Sequence, residues 1–126
     1  VKVAELEGAL LDLWVARAEG EVLAPAHPAP DPNSGTYWLK MGQFASVKPC
    51  PQYHRRWDDA GPIIERELGT FTIERHSRSV PIWYWADMGR TLARSRMGGP
   101  THLIAAMRAY VVYRFGEEVP DLEKPL

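Results

Sequence analysis

The chain has one cysteine, Cys50, in 126 residues. No disulfide can form within it, which excludes a small scaffold stapled by disulfides. It also lacks any apolar run near the roughly 20 residues that a membrane-crossing helix needs. The amino-terminal stretch VKVAELEGALLDLWVARAEG sets Glu5, Glu7 and Asp12 inside its apolar pattern, unlike a secretory signal. The expected location is therefore the cytoplasm, with no membrane partner. Excess charge is missing too: the formal net charge is −1, which removes the strong nucleic-acid or membrane expectation carried by a very basic chain. There is no internal repeat, no G-x-S-x-G, no phosphate-binding glycine loop and no H-E-x-x-H, so none of the common catalytic signatures applies.

What is present is an ordinary globular composition, 45% hydrophobic and 25% charged, long enough to bury a core as a single domain over residues 1–126. Two residue types are over-represented. The 11 prolines exceed the usual share of about 5% and argue for short elements rather than a helical bundle. The five tryptophans call for a core built on large rings or for a recognition surface.

Leu6, Leu10, Leu13, Trp14 and Arg17 recur at helical spacing, so a helix is expected over Glu5–Glu19, closed by Gly20. Gly8 should weaken its first turn. Glu21 to Leu23 could pair as a short strand. Pro25, Pro28, Pro30 and Pro32, followed by Asn33-Ser34-Gly35, predict a proline-rich exposed loop over 25–35. Thr36 to Phe44 alternates like a strand. The next segment is read as irregular, because Pro49 and Pro51 bracket Cys50. A short helix from Ala60 to Leu68 follows, with Asp59 as N-cap, Pro62 early enough to cost nothing and Gly69 as its stop.

Thr70 to Ile73 and Val80 to Ala86 read as two strands joined by a polar hairpin connection. The second carries Trp83 and Trp85 on one side and Ile82, Tyr84 and Ala86 on the other. GRTLARSRMGGP follows as a basic loop or short helix. Thr101 is then a good N-cap for a helix to Phe115, with Leu103, Ile104, Met107, Val111 and Phe115 on one face. Arg114 complements the helix dipole and Gly116 ends the helix. An acidic tail runs over 117–126. The fold class is α+β: two main helices packed on a small antiparallel sheet, with a short third helix and a proline-rich loop.

Three blocks, LEGALLDLWVARAEG, WDDAGPIIERE and GPTHLIAAMRAYVVYRFGEEVP, resemble the phage NinX family in order and spacing. Members pair such an N-terminal helix with a W-x-x-G-G-P-I-I-E-R-E-like stretch and a G-P-T-P-L-x-A-A-M-R-x-Y-V-like helix. Here Ala60 replaces the first glycine of the pair, and His102 stands where proline is frequent. The resemblance implies a small phage or prophage protein acting inside a bacterium. It brings no activity and no catalytic residues. Within the matching blocks Glu65, Arg66 and Arg108 are the charged positions least explained by packing; an ion pair of Arg108 with Glu65 or Glu67 is the structural expectation.

The chemistry-bearing residues are sparse. Cys50 and His54, with Asp58 and Asp59 near, form only a fragment of a zinc pattern, and neither a metal nor another cofactor is expected. Lys48 and His54 could lower the Cys50 thiol, but a lone loop cysteine is more often incidental. No catalytic residue is assigned. From Phe71 to Phe115 the chain is positive by five, and Arg90, Arg94 and Arg96 follow Trp83, Tyr84 and Trp85. Arginines beside rings suit phosphate contact with base stacking, so nucleic-acid binding is the alternative. The preferred expectation is a non-enzymatic accessory protein that binds a protein partner or a second copy of itself. Its surface would be built from Trp57, Trp83 and Trp85 with the arginines, because Trp and Arg dominate interface hot spots.

Overall fold

The computed structural model describes residues 1–42, 46–74, 82–88 and 96–121. Among them are three α-helices, α1 (Gly8–Ala18), α2 (Trp57–Glu67) and α3 (His102–Phe115). The five strands are β1 (Trp38–Lys40), β2 (Val47–Pro49), β3 (Leu68–Glu74), β4 (Trp83–Met88) and β5 (Met97–Gly99). The class is mixed α+β with small antiparallel sheets. β1 and β2 form one sheet, and the other has the order β3-β4-β5.

The first helix is shorter than its apolar spacing suggests. A 3-10 turn covers Val3–Glu5, Leu6 and Glu7 are extended, and α1 starts at Gly8, whose φ of +56° lies where glycine is favoured. Gly8 therefore starts the helix instead of weakening it. α1 is also not a surface helix with one apolar stripe: Leu11, Asp12, Leu13, Trp14, Val15 and Ala16 are all buried.

α2 begins at Trp57, ahead of the expected Ala60, so Asp58 and Asp59 sit in its first turn. Asp59 accepts from the Gln52 N–H at 2.9 Å rather than serving as the N-cap. Pro62 then lies past the free donors of the helix start and costs the bond an N–H there would make to the Asp58 carbonyl. The helix gives way at Leu68, where pairing with Met88 begins β3. The segment expected to be irregular around Cys50 supplies β2, with Trp38 opposite Pro49 and Lys40 opposite Val47. Leu23 makes only an isolated bridge to Leu39. Residues 25–35 carry neither helix nor strand, and a turn at Asp31–Thr36 is closed by Asp31 N–H to Thr36 O and Gly35 N–H to Asp31 O.

β3 and β4 pair antiparallel, Phe71 opposite Ala86 and Ile73 opposite Tyr84, as the two-strand reading required. Phe44, Val80 and the connection at 75–79 lie outside the described residues. The reading of 89–100 as loop or helix fails where it can be checked, because Met97–Gly99 is β5, paired with β4. Its glycines are needed for close packing. A Cβ on Gly98 would strike the Trp83 indole, and one on Gly99 would meet the Ala105 main-chain nitrogen at 2.8 Å.

α3 keeps its expected bounds. Thr101 caps it by accepting from the Ile104 N–H at 3.1 Å, and Gly116 ends it. Its apolar surface, however, is not one face: Leu103, Ala105, Ala106, Met107, Ala109, Tyr110, Val111 and Val112 are buried while Phe115 is exposed. The helix is a central strut between α1 and the three-stranded sheet. One hydrophobic cluster joins Val3, α1, Leu39, Ile63, Ala86, Met88 and α3.

Candidate functional site

The most organised polar arrangement starts on the buried helix α1. Asp12 is 1% exposed. Its Oδ1 accepts the His54 main-chain N–H at 2.8 Å, and its Oδ2 lies 2.7 Å from His54 Nδ1. Together with the Asp59–Gln52 bond, two carboxylates thus pin the loop between β2 and α2. Burial pushes the Asp12 carboxyl up to about 6, opposed by the His54 N–H and ring and assisted by Asp59. When Asp12 is ionised it accepts Nδ1–H, which fixes the His54 tautomer and leaves Nε2 on the opposite edge of the ring.

His54 lines a groove of about 380 Å³ between the loop, β4 and the start of α3. Its apolar wall is Tyr84, Pro100, Leu103 and Ile104; its polar groups are His54, Arg55, Thr101 and His102. Tyr84 and His102 meet edge to face, with centroids 4.0 Å apart. Trp57 stands at the rim and is 54% exposed. No carboxylate lines the groove among the described residues. A concave, mostly apolar pocket with a few convergent polar groups is the usual form of a binding site.

Cys50, beside this loop, is buried. Burial, then the fields of Asp12 and Asp59, push its thiol up to about 12. That is the reverse of the activation by Lys48 and His54 considered from sequence, since Lys48 instead pairs with Glu21 at 2.8 Å. Among the described residues no group of three metal-ligating side chains gathers.

The other candidates are scattered. Arg108 is 6% exposed and makes no ion pair with Glu65 or Glu67. Its Nε donates to Leu6 O at 2.9 Å and its Nη1 to Gly98 O at 3.0 Å. The guanidinium ties the N-terminal turn to β5, a packing role that accounts for a charge inside the core. Arg66 instead takes the acidic partners, donating to Glu67 at 2.9 Å and to Glu19 at 2.7 Å. Tyr110 joins them by donating to Glu19 at 2.6 Å. Burial would raise Glu19, but the bonds from Arg66 and Tyr110 bring it below its ordinary range. Glu65 is exposed on α2 and does not converge with Arg66 and Arg108 in a pocket.

On the sheet face away from α3, Trp83 is 38% exposed, and the Arg96 guanidinium lies 5.2 Å from the centroid of the half-buried Trp85. Arg90 and Arg94 lie outside the described residues.

A family model described as "Bacteriophage P22, NinX" matches residues 2–114, a span that contains all of α1, α2, the five strands and the groove. The chain belongs to the phage NinX family. No match is found among curated proteins. The first two blocks noted in the sequence and the third as far as Arg114 are thus parts of one family match, which also takes in His54 between them. No helix among the described residues is long and apolar enough to cross a membrane.

Sequence reasoning missed the Asp12–His54 pair. The available signal was an acid in the middle of LLDLW. A carboxylate flanked by apolar residues on a helix needs a buried partner, but nothing in the sequence said which residue supplied it.

Proposed function

We propose that this NinX-family protein is a phage accessory protein that binds a protein partner in the cytoplasm of the bacterial host and catalyses no reaction. The observation that carries the reading is Trp57, more than half exposed at the rim of a pocket whose walls are rings and aliphatic side chains. An exposed indole beside an arginine and an apolar recess is the usual composition of an interface hot spot. The groove replaces Trp83 and Trp85 as the centre of the proposed surface, because Trp57 joins an arginine and an apolar recess there.

The test is capture of host and phage proteins on the immobilised chain, with Trp57→Ala and Trp83→Ala alongside. A partner retained by the wild type and Trp83→Ala but lost with Trp57→Ala supports the reading. Equal capture by all three removes the groove from it.

Nucleic-acid binding is the second reading, favoured by the Arg96–Trp85 stack. Titration of single- and double-stranded oligonucleotides, followed by tryptophan fluorescence, tests it. Quenching that weakens steeply with salt supports it; no change at micromolar protein in low salt rejects it.

A further inference from the structure

The groove has a charge character that narrows its occupant. The apolar part of its wall, Leu103 and Ile104 with the Tyr84 ring, suits an aliphatic or aromatic side chain. The polar part contains the cationic or protonatable groups Arg55, His54 and His102 and, among the described residues, no carboxylate. Arg55 donates through Nε to Gln52 Oε1 and makes no ion pair among the described residues, whereas the neighbouring Arg56 lies 3.8 Å from Asp58 and 3.9 Å from Asp59. One cation is thus left for an incoming anion, with a histidine beside it.

His54 differs from an ordinary surface histidine. Asp12 holds it by ring and main chain, so the imidazole is fixed with a carboxylate at Nδ1 on a residue that lines the groove. Such a ring can act in two forms. Neutral, it offers a lone pair at Nε2; protonated, it offers N–H at both nitrogens, with Asp12 as counter-charge. An anion on the groove side favours the second form. The ionisable groups around His54 are Asp12 from α1, Asp59 from α2, whose field reaches Asp12, Arg55 and Cys50 from its own loop, and His102 from α3 across the groove. Asp12 touches the ring, at Nδ1.

Resting on the reading of the groove as a partner-binding site, we propose that it takes a carboxylate from an acidic, apolar-flanked segment of the partner. His54 gains a proton from solvent as the carboxylate enters, and Asp12 serves as its buried counter-ion. A carboxylate fits better than a phosphate, because Asp12 offsets the charge of the His54 imidazolium and Arg55 then leaves a net of one positive charge for a single negative one, while phosphate recognition characteristically uses clustered arginines. The volume of about 380 Å³ suits a side chain or two of such a segment and lies near the floor of the roughly 300–1,000 Å³ usual for binding pockets.

The experiment is calorimetric titration of the full chain with the peptide acetyl-Gly-Glu-Phe-Glu-Gly-amide and its Gln-for-Glu counterpart. It is run near neutral pH in two buffers of different ionisation enthalpy, so that proton uptake is read directly. The Glu peptide is expected to bind about tenfold more tightly than the Gln peptide, as one charge-assisted contact provides, and with net proton uptake. His54→Gln should abolish the uptake and most of the preference. Asp12→Asn should do the same, and His54→Gln serves alone should the buried Asn not be tolerated.

Equal binding of the two peptides, or Glu-peptide binding without uptake, overturns the proposal. So does tighter binding of a phosphoserine version, which would reassign the anion. Binding of neither peptide, with Trp57-dependent capture of a partner intact, overturns the carboxylate and leaves the partner-binding reading standing. Loss of that Trp57 dependence is the separate failure of the reading itself.

Discussion

Asp12 holds His54 twice across 42 positions of sequence, by the main-chain N–H at 2.8 Å and by ring Nδ1 at 2.7 Å. The pair joins the buried helix α1 to the loop that forms one wall of the groove. It fixes the loop and the imidazole together, so the fold and the proposed recognition depend on the same carboxylate.

The pair has a pH signature. Asp12 is raised from 3.8 to about 6 by burial, against the opposing pull of His54. A raised folded-state value means that its favourable contribution is complete below the ordinary carboxylate range and is lost as pH rises through about 6. Measured against Asp12→Asn by urea unfolding, the wild type should therefore lose relative stability from about pH 3.5 to pH 7.5, by at most about 3 kcal/mol. A wild type that gains on the variant over that range would show that pairing with the imidazole outweighs burial.

Arg108 should be among the least replaceable charged residues. Arg108→Met keeps much of the apolar stem but leaves the carbonyls of Leu6 and Gly98 without their buried donors. The expected loss is about 2–4 kcal/mol, read as a lower urea midpoint. A loss below about 0.5 kcal/mol, the size usual at a surface site, would mean that the guanidinium bonds contribute little.

The two glycines of β5 should respond differently to one added methyl. Gly99→Ala meets main chain, the Ala105 nitrogen at 2.8 Å, and so requires α3 to move away from the sheet. Gly98→Ala meets the indole of the partly exposed Trp83, a side chain with room to turn. Gly99→Ala should cost about 1–3 kcal/mol and Gly98→Ala less, with a change in tryptophan emission. Thermal melts of the two variants check the order.

Cys50 should be inert in the native protein. Its thiol is buried and pushed up to about 12, and the thiolate is the reacting form. At pH 8 a disulfide reagent should leave it unmodified over the time in which the urea-unfolded chain reacts fully. Rapid native labelling would revive the activated-thiol reading.

Elements set by local chemistry were readable in advance. Thr101, with Gly98-Gly99-Pro100 before it and Gly116 after it, marked α3 because caps and stops act within a turn of chain. The alternation around Trp83 to Ala86 marked a strand for the same reason. Boundaries that depend on a partner were not readable. Pairing with Met88 ends α2 at Glu67, pairing with β4 makes Met97–Gly99 a strand, and pairing with β1 gives order to the segment before Cys50.

The charged candidates divide along the same line. The sequence singled out Arg66 and Arg108 as charges needing partners, but could not distribute them. Arg66 found Glu19 and Glu67, and Arg108 found two carbonyls. By itself the sequence determined the α+β class, the capped final helix and membership of the phage NinX family, since each rests on residues close together in the chain or on ordered blocks of it. Only the tertiary structure decided that Asp12 belongs to His54, that Trp57 rims a groove and that Cys50 is shut away. Burial and hydrogen bonding between distant residues are properties of the packed chain, and no local pattern encodes the partner.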